Sequence, residues 1–270
     1  MCIGLHEVFY DLTWLKVGIA YIASYMSPVM VWYVALFKRK RIRDLLQNVK
    51  EENPHSSEKF INCLVILSCS VPVVLSIQLA VKFCTTEESA FYTYGYDVGN
   101  EWATFTIVSV KAFIYYMVYP TYINIVALFY VSVCLRCKTR VQYLNSEITA
   151  CLPEDFTLRF QRNILRKRVK ILKLLLKIKD TFSLSLFFIL IAHTTMCSSI
   201  IGWFLVKQWN ESGYYWKLEA PYFSLSSIFC VISVLWVAGG IPVELNTFKE
   251  TFYQKTHQRL LFFNIRMNCF

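Results

Sequence analysis

The chain has 270 residues, with 28 Lys and Arg against 18 Asp and Glu, and a formal net charge of +10. Hydrophobic residues make up 56%, charged residues 17%, and the mean hydropathy is +0.42. A soluble domain averages about 45–50% apolar and about 25% charged, so an ordinary soluble domain is excluded. No zinc, RRM or helix-turn-helix pattern accompanies the positive charge, so it carries no weight as a nucleic-acid footprint and no nucleic-acid partner is expected.

In chain order, five apolar blocks are long enough to cross a bilayer core, which takes roughly 20 helical residues. They are residues 12–37, 61–82, 103–135, 181–206 and 223–243, and none contains Asp or Glu. Runs of this length favour helices over the alternating segments of a barrel. The first eleven residues, MCIGLHEVFYD, have no basic n-region and do not read as a signal peptide. The expected fold is an all-α, multi-pass membrane bundle over residues 1–243, followed by an amphipathic tail at 244–270.

The connectors orient this bundle. Residues 38–60 carry seven Lys or Arg, 136–180 carry twelve, and 244–270 carry four, so 23 of 28 basic residues share one side. Residues 83–102 carry none and have four acids. Basic connectors mark the cytoplasmic side, which sets the N-terminus outside and the C-terminus inside. The one N-x-S/T sequon, at Asn210, then falls outside, where glycosylation occurs. Ten cysteines form no framework. Cys2 and Cys84 both fall on the oxidising side, where pairing is open, and two cysteines at Cys134 and Cys137 do not make a zinc site.

The inner connectors carry helical stripes. Ile42, Leu45, Leu46 and Val49 follow the spacing of an amphipathic helix. Leu165, Val169, Leu172 and Leu176 repeat at 4, 3 and 4, with Arg166, Lys170, Lys173 and Lys177 on another face. No Pro or Gly separates that stripe from the block at Thr181, so one helix is expected to run through. Leu245, Phe248 and Phe252 repeat the idea in the tail. Such stripes either lie on anionic lipid or pack together in a cytoplasmic bundle. Three of them on one side favour the bundle, which makes Leu165, Leu172, Leu176, Phe248 and Phe252 the assembly residues.

Catalytic motifs are absent: there is no HExxH, P-loop, GxSxG or GxGxxG, no metal or cofactor site is expected, and the chain does not read as an enzyme. His193 lies inside the fourth block. Lys111 lies inside the third, about 13 Å beyond Trp102 at 1.5 Å per residue, with Tyr115, Tyr119 and Tyr122 following at 4, 4 and 3. A lysine there either lines a pocket open to the outside or snorkels to the membrane edge from an over-long helix. The pocket reading assembles Lys111, Tyr115 and Tyr119 with Trp14, Gln78, His193 and Phe229 around a small ligand.

"SPVMVWYVALFKRKRIRDLLQNVKEE" resembles the second helix and first inner loop of arthropod gustatory receptors, part of the insect-type chemoreceptor superfamily. "VISVLWVAGGIPVELNTFKETFYQKTHQRLLF" resembles their sixth helix and the segment after it. The basic run into the fourth block is similar to the approach to their fifth helix. The resemblance implies a plasma-membrane fold of seven helices, of which this chain matches the second to sixth. It implies a homo- or hetero-tetrameric, ligand-gated cation channel for small-molecule tastants, held by cytoplasmic helix extensions. The family's pore helix, with Thr-Tyr and Gln-Phe around five apolar residues, has no counterpart here. "HQRLLFFNIRMNCF" therefore reads as the edge of a longer protein, and residues 1–270 alone are expected to carry no ligand-gated current. A truncated G-protein-coupled receptor shares the N-out topology, but its third helix would end Asp/Glu-Arg-Tyr where this chain has "SVCLRCKTR". A small transporter or membrane scaffold is the other alternative, with no internal repeat to support a transporter.

Overall fold

The computed structural model describes residues 15, 19, 22–23, 26–50, 56–83, 99–206 and 214–268, and the regular elements among them are all helical. Helix α1 covers Met26–Phe37, α2 Arg39–Lys50, α3 Ser56–Phe83, α4 Glu101–Tyr116, α5 Ile123–Ala150, α6 Leu158–Val206 and α7 Tyr214–Asn268. Four stretches are long and apolar enough to cross a membrane: Lys59–Lys82, Glu101–Ala150, Leu158–Leu205 and Glu219–Asn264. The expected five spans are thus four among the described residues. The first block is present as α1, shorter than a bilayer requires, and most of 12–25 lies outside the described residues. The chain is a multi-pass helical protein of membrane character.

The chain divides into two compact units. The first comprises Met1–Phe37, Asn53–Phe129 and Leu184–Ile232. Its outer surface is aliphatic: Ile66, Leu67, Val74 and Val81 of α3, Ile201 of α6 and Ile228 of α7 are all exposed. A water-soluble surface rarely shows contiguous apolar patches above a few hundred Å², so lipid chains are the natural solvent for this one. The rod that starts at Glu101 breaks at Met117–Tyr122. Pro120 offers no N–H to the helical ladder, Tyr119 swings to φ −142° and ψ 131°, and the Tyr119–Pro120 peptide is cis. At its start, the Asn100 side chain accepts from the Trp102 amide at 3.0 Å, a helix N-cap.

The second unit comprises Lys38–Glu52, Tyr130–Ser183 and Ser233–Phe270. Its core is Val141, Leu144 and Ile148 of α5, Ile164 and Ile171 of α6, Phe248 of α7, and Phe156 from the turn between α5 and α6. Phe156 is completely enclosed, its ring 5.4 Å from Phe252 and 5.7 Å from Phe160. The Arg259 guanidinium donates to the Phe156 carbonyl, which ties α7 to that turn. Lys167 pairs with Glu147 at 2.8 Å, Gln142 donates to Glu244 at 2.6 Å, and the Arg168 guanidinium lies 5.1 Å above the Phe248 ring. Cys151, in the same turn, has its thiol pKa pushed up by burial first and then by the Asp155 carboxylate.

As expected, α6 runs unbroken past Thr181. Its rotation is not the expected one. Leu165 is 38% exposed and Leu176 60%, with Leu172 half-buried, so this row does not face the chain's own core. Ile164, Ile171, Leu174 and Ile178 face inward instead. Both rows are apolar, and polar partners decide between them. Lys167 and Arg168 flank Ile164 and Ile171 and reach Glu147 and Phe248, which turns the isoleucine row inward. The pattern continues along the helix: residues 164, 171, 178, 185, 192 and 199, seven apart, are all buried. Phe248 and Phe252 do lie at the core, the first enclosed and the second half-buried.

Candidate functional site

The first unit encloses polar groups from three helices. Along α4, Val108, Ala112 and Tyr116 face inward at a spacing of four. The break that follows keeps Tyr119, Pro120 and Thr121 inside as well. Opposite them stand His193 of α6 and the row Glu219, Phe223 and Ser227 of α7, all buried. The His193 Nδ1 and the Ser227 hydroxyl are 2.9 Å apart, and the Tyr119 hydroxyl is 3.4 Å from each. The Tyr116 hydroxyl donates to the Glu219 carboxyl. One turn beyond the break, Asn124 donates to Ser226 at 2.7 Å. Phe223 fills the space between the tyrosines, its ring centroid 5.8 Å from Tyr119 and 6.2 Å from Tyr116.

Among the described residues, Nε2 of His193, Oδ1 of Asn124 and the hydroxyls of Ser109 and Thr121 are buried in this unit without a hydrogen-bond partner. A buried polar atom left unpaired costs about 1–3 kcal/mol, so each is a place where a polar guest gains more than it would elsewhere. Among the described residues, no carboxyl accepts from Nε2 of His193. Among the described residues, no three His, Cys, Asp or Glu side chains converge as metal ligands.

The structure brings together Tyr119 and His193 of the sequence-derived set. Tyr115 and Lys111 lie one row over, half-buried, with the Tyr115 ring 5.3 Å from Tyr116. Gln78 is exposed on α3, while Ser76, Leu79 and Ala80 form that helix's inner side. Phe229 is 66% exposed and points away from the Ser227 row. Trp14 and Asn210 lie outside the described residues, as do Cys2 and Cys84. Sequence reasoning missed Tyr116, Ser227 and Glu219. Glu219 stands one turn before the fifth block, and extending that block by four residues along the row to Phe223 would have found it.

No family model, curated protein or solved structure matches the chain. The polar interior of the first unit and the basic exterior of the second are therefore the observations on which a function has to rest.

Proposed function

We propose that this chain is a chemosensory receptor subunit of the gustatory type, part of a ligand-gated cation channel in the plasma membrane, with its basic connectors in the cytoplasm. One observation carries the reading: Tyr119 from the break after α4, His193 of α6 and Ser227 of α7 meet in the buried polar interior of the first unit. Such a cluster of hydroxyls and one imidazole suits a small neutral molecule with hydroxyl or carbonyl groups, which it orients by hydrogen bonds while the surrounding rings cover the apolar parts. The resemblance of the α1–α2 and α7 segments to gustatory receptors supports the same class. The bias of basic residues supports the orientation.

The test is binding. The purified chain, in nanodiscs, is screened by thermal shift against a panel of sugars, bitter alkaloids and small alcohols. At least one compound is expected to raise the melting temperature of the wild type and to lose most of that effect in Ser227→Ala. If no compound separates the two proteins, the cluster is a packing device and the receptor reading fails. A second reading, a small transporter, is favoured by the buried Glu219, since a carboxyl within a membrane bundle marks ion or proton pathways. Uptake into proteoliposomes that is abolished by Glu219→Gln would favour it.

A further inference from the structure

Two junctions of the chain coincide in space. Apolar α1 gives way to basic α2 between residues 37 and 38, and the charged half of α6 gives way to its apolar half between residues 180 and 181. The Lys38 ammonium donates to the carbonyl of Asp180 and, at 3.2 Å, to that of Thr181, 142 and 143 residues away. Around this contact Arg39, Lys40, Arg41 and Arg43 of α2, with Lys177 and Lys179 of α6, are all exposed. The acids on the same turns are Asp44 and Asp180. On the other side of α2, Leu45 is enclosed and Ile42 half-buried. At 100° per residue this sets Lys40 and Arg43 on the side of α2 opposite Leu45, with Arg39 and Arg41 on its flanks.

We infer that this junction is a binding site for the headgroup of a polyanionic phospholipid. The polar-to-apolar boundary of two helices is where a lipid phosphate sits, and clusters of four to eight Lys and Arg beside a span favour anionic lipid. Arginine forks hold phosphate oxygens in pairs. A general excess of cytoplasmic charge explains how many basic residues there are. It does not explain why Lys38 gives its charge to two backbone carbonyls and so fixes α2 beside Lys177 and Lys179. That contact holds the cluster in place before any lipid arrives. Which leaflet supplies the lipid rests on the orientation proposed above; the site itself does not.

The experiment uses the full chain in detergent, titrated with fluorescent phosphatidylinositol bisphosphate. Detergent has no sides, so the result stands whichever way the chain crosses the membrane, and orientation is read separately with epitope tags. The triple variant Arg39→Gln, Arg41→Gln, Lys179→Gln is expected to weaken binding on the order of 100-fold. A charge-matched control, Arg159→Gln, Arg162→Gln, Arg166→Gln, removes exposed residues of the same helix α6. Arg166 lies eleven residues before Lys177, about 16 Å along the axis, beyond a Debye length of about 8 Å, so the control is expected to keep most of the affinity. If the triple variant does not fold, Lys179→Gln alone is expected to lose about fivefold. Equal losses in variant and control, or no loss in either variant, overturn the site. So does soluble inositol trisphosphate binding as tightly as the lipid.

Discussion

The two units are built inside out relative to one another. The first exposes isoleucine, leucine and valine and encloses His193, Ser227, Tyr119 and Glu219; the second encloses Phe156, Phe248, Ile164 and Ile171 and exposes lysine and arginine. Every buried polar or charged side chain among the described residues belongs to the first unit, except Thr181. Charge divides the same way: the segments of the second unit contain 22 Lys and Arg against nine Asp and Glu, those of the first six against nine. The difference is what two different solvents, lipid for the first unit and water for most of the second, would select. In water, burying apolar surface drives packing at about 25 cal/mol per Å². In lipid that drive vanishes, and close packing with interhelical hydrogen bonds takes over.

The sharpest way to break this contrast is in the second unit's core. Phe248→Ala is expected to cost about 3–5 kcal/mol and Ile171→Ala about 2–5, while Leu176→Ala, on the exposed row of the same helix, stays within about 0.5. Thermal unfolding followed by fluorescence-detected gel filtration reads all three. Comparable losses at Ile171 and Leu176 would mean that both rows are covered, the second by another molecule.

An exchange across the first unit's surface follows. Ile228 is exposed next to buried Ser227. Ile228→Lys is expected to cost roughly 2.5–3.5 kcal/mol of membrane insertion, read as the inserted fraction in microsomes, whereas exposed Lys173→Leu in the second unit changes insertion little. A harmless Ile228→Lys would put water, not lipid, against that face of α7.

The smallest effect is expected inside the first unit. Ser227→Ala removes the hydroxyl that stands beside both His193 and Tyr119, and interhelical hydrogen bonds in membranes average about 0.6 kcal/mol. A loss of roughly 1 kcal/mol in resistance to denaturing detergent is the expected outcome, since His193 Nδ1 loses its nearer partner and keeps only the Tyr119 hydroxyl at 3.4 Å. A gain in stability would mean that the cluster is kept for binding at the expense of packing.

The apolar blocks were legible in the sequence because nothing but a membrane span needs twenty apolar residues in a row. The continuity of α6 was legible because no Pro or Gly interrupts it. Rotation about each axis was not. On α4 the sequence favours Tyr115 where Tyr116 is enclosed, and on α6 it favours Leu165 where Ile164 is. On α4, in lipid, the outward face is as apolar as the inward one, and on the charged half of α6 the Ile164 and Leu165 rows are both apolar, so hydrophobic spacing phases neither. Polar groups do, Lys167 and Arg168 on one half of α6 and buried Ser185, His193 and Ser199 on the other. Phe156 escaped notice because it sits in the short stretch Pro153-Glu154-Asp155-Phe156, outside any periodic run. The break at Tyr119 was written in Pro120, where helical spacing alone carries the pattern straight through.

The seven-residue beat along α6 makes that helix intolerant of changes in length. Inserting one residue near Thr181 turns everything after it by about 100°, which would present His193 and Ser199 to hydrocarbon while every composition statistic stayed the same. Adding or removing seven residues would restore the phase to within about 20°. Length variants in this segment should therefore come in whole multiples of that step, and a count of residues between Ile164 and His193 distinguishes a working copy from a misread one more sharply than any single substitution between them.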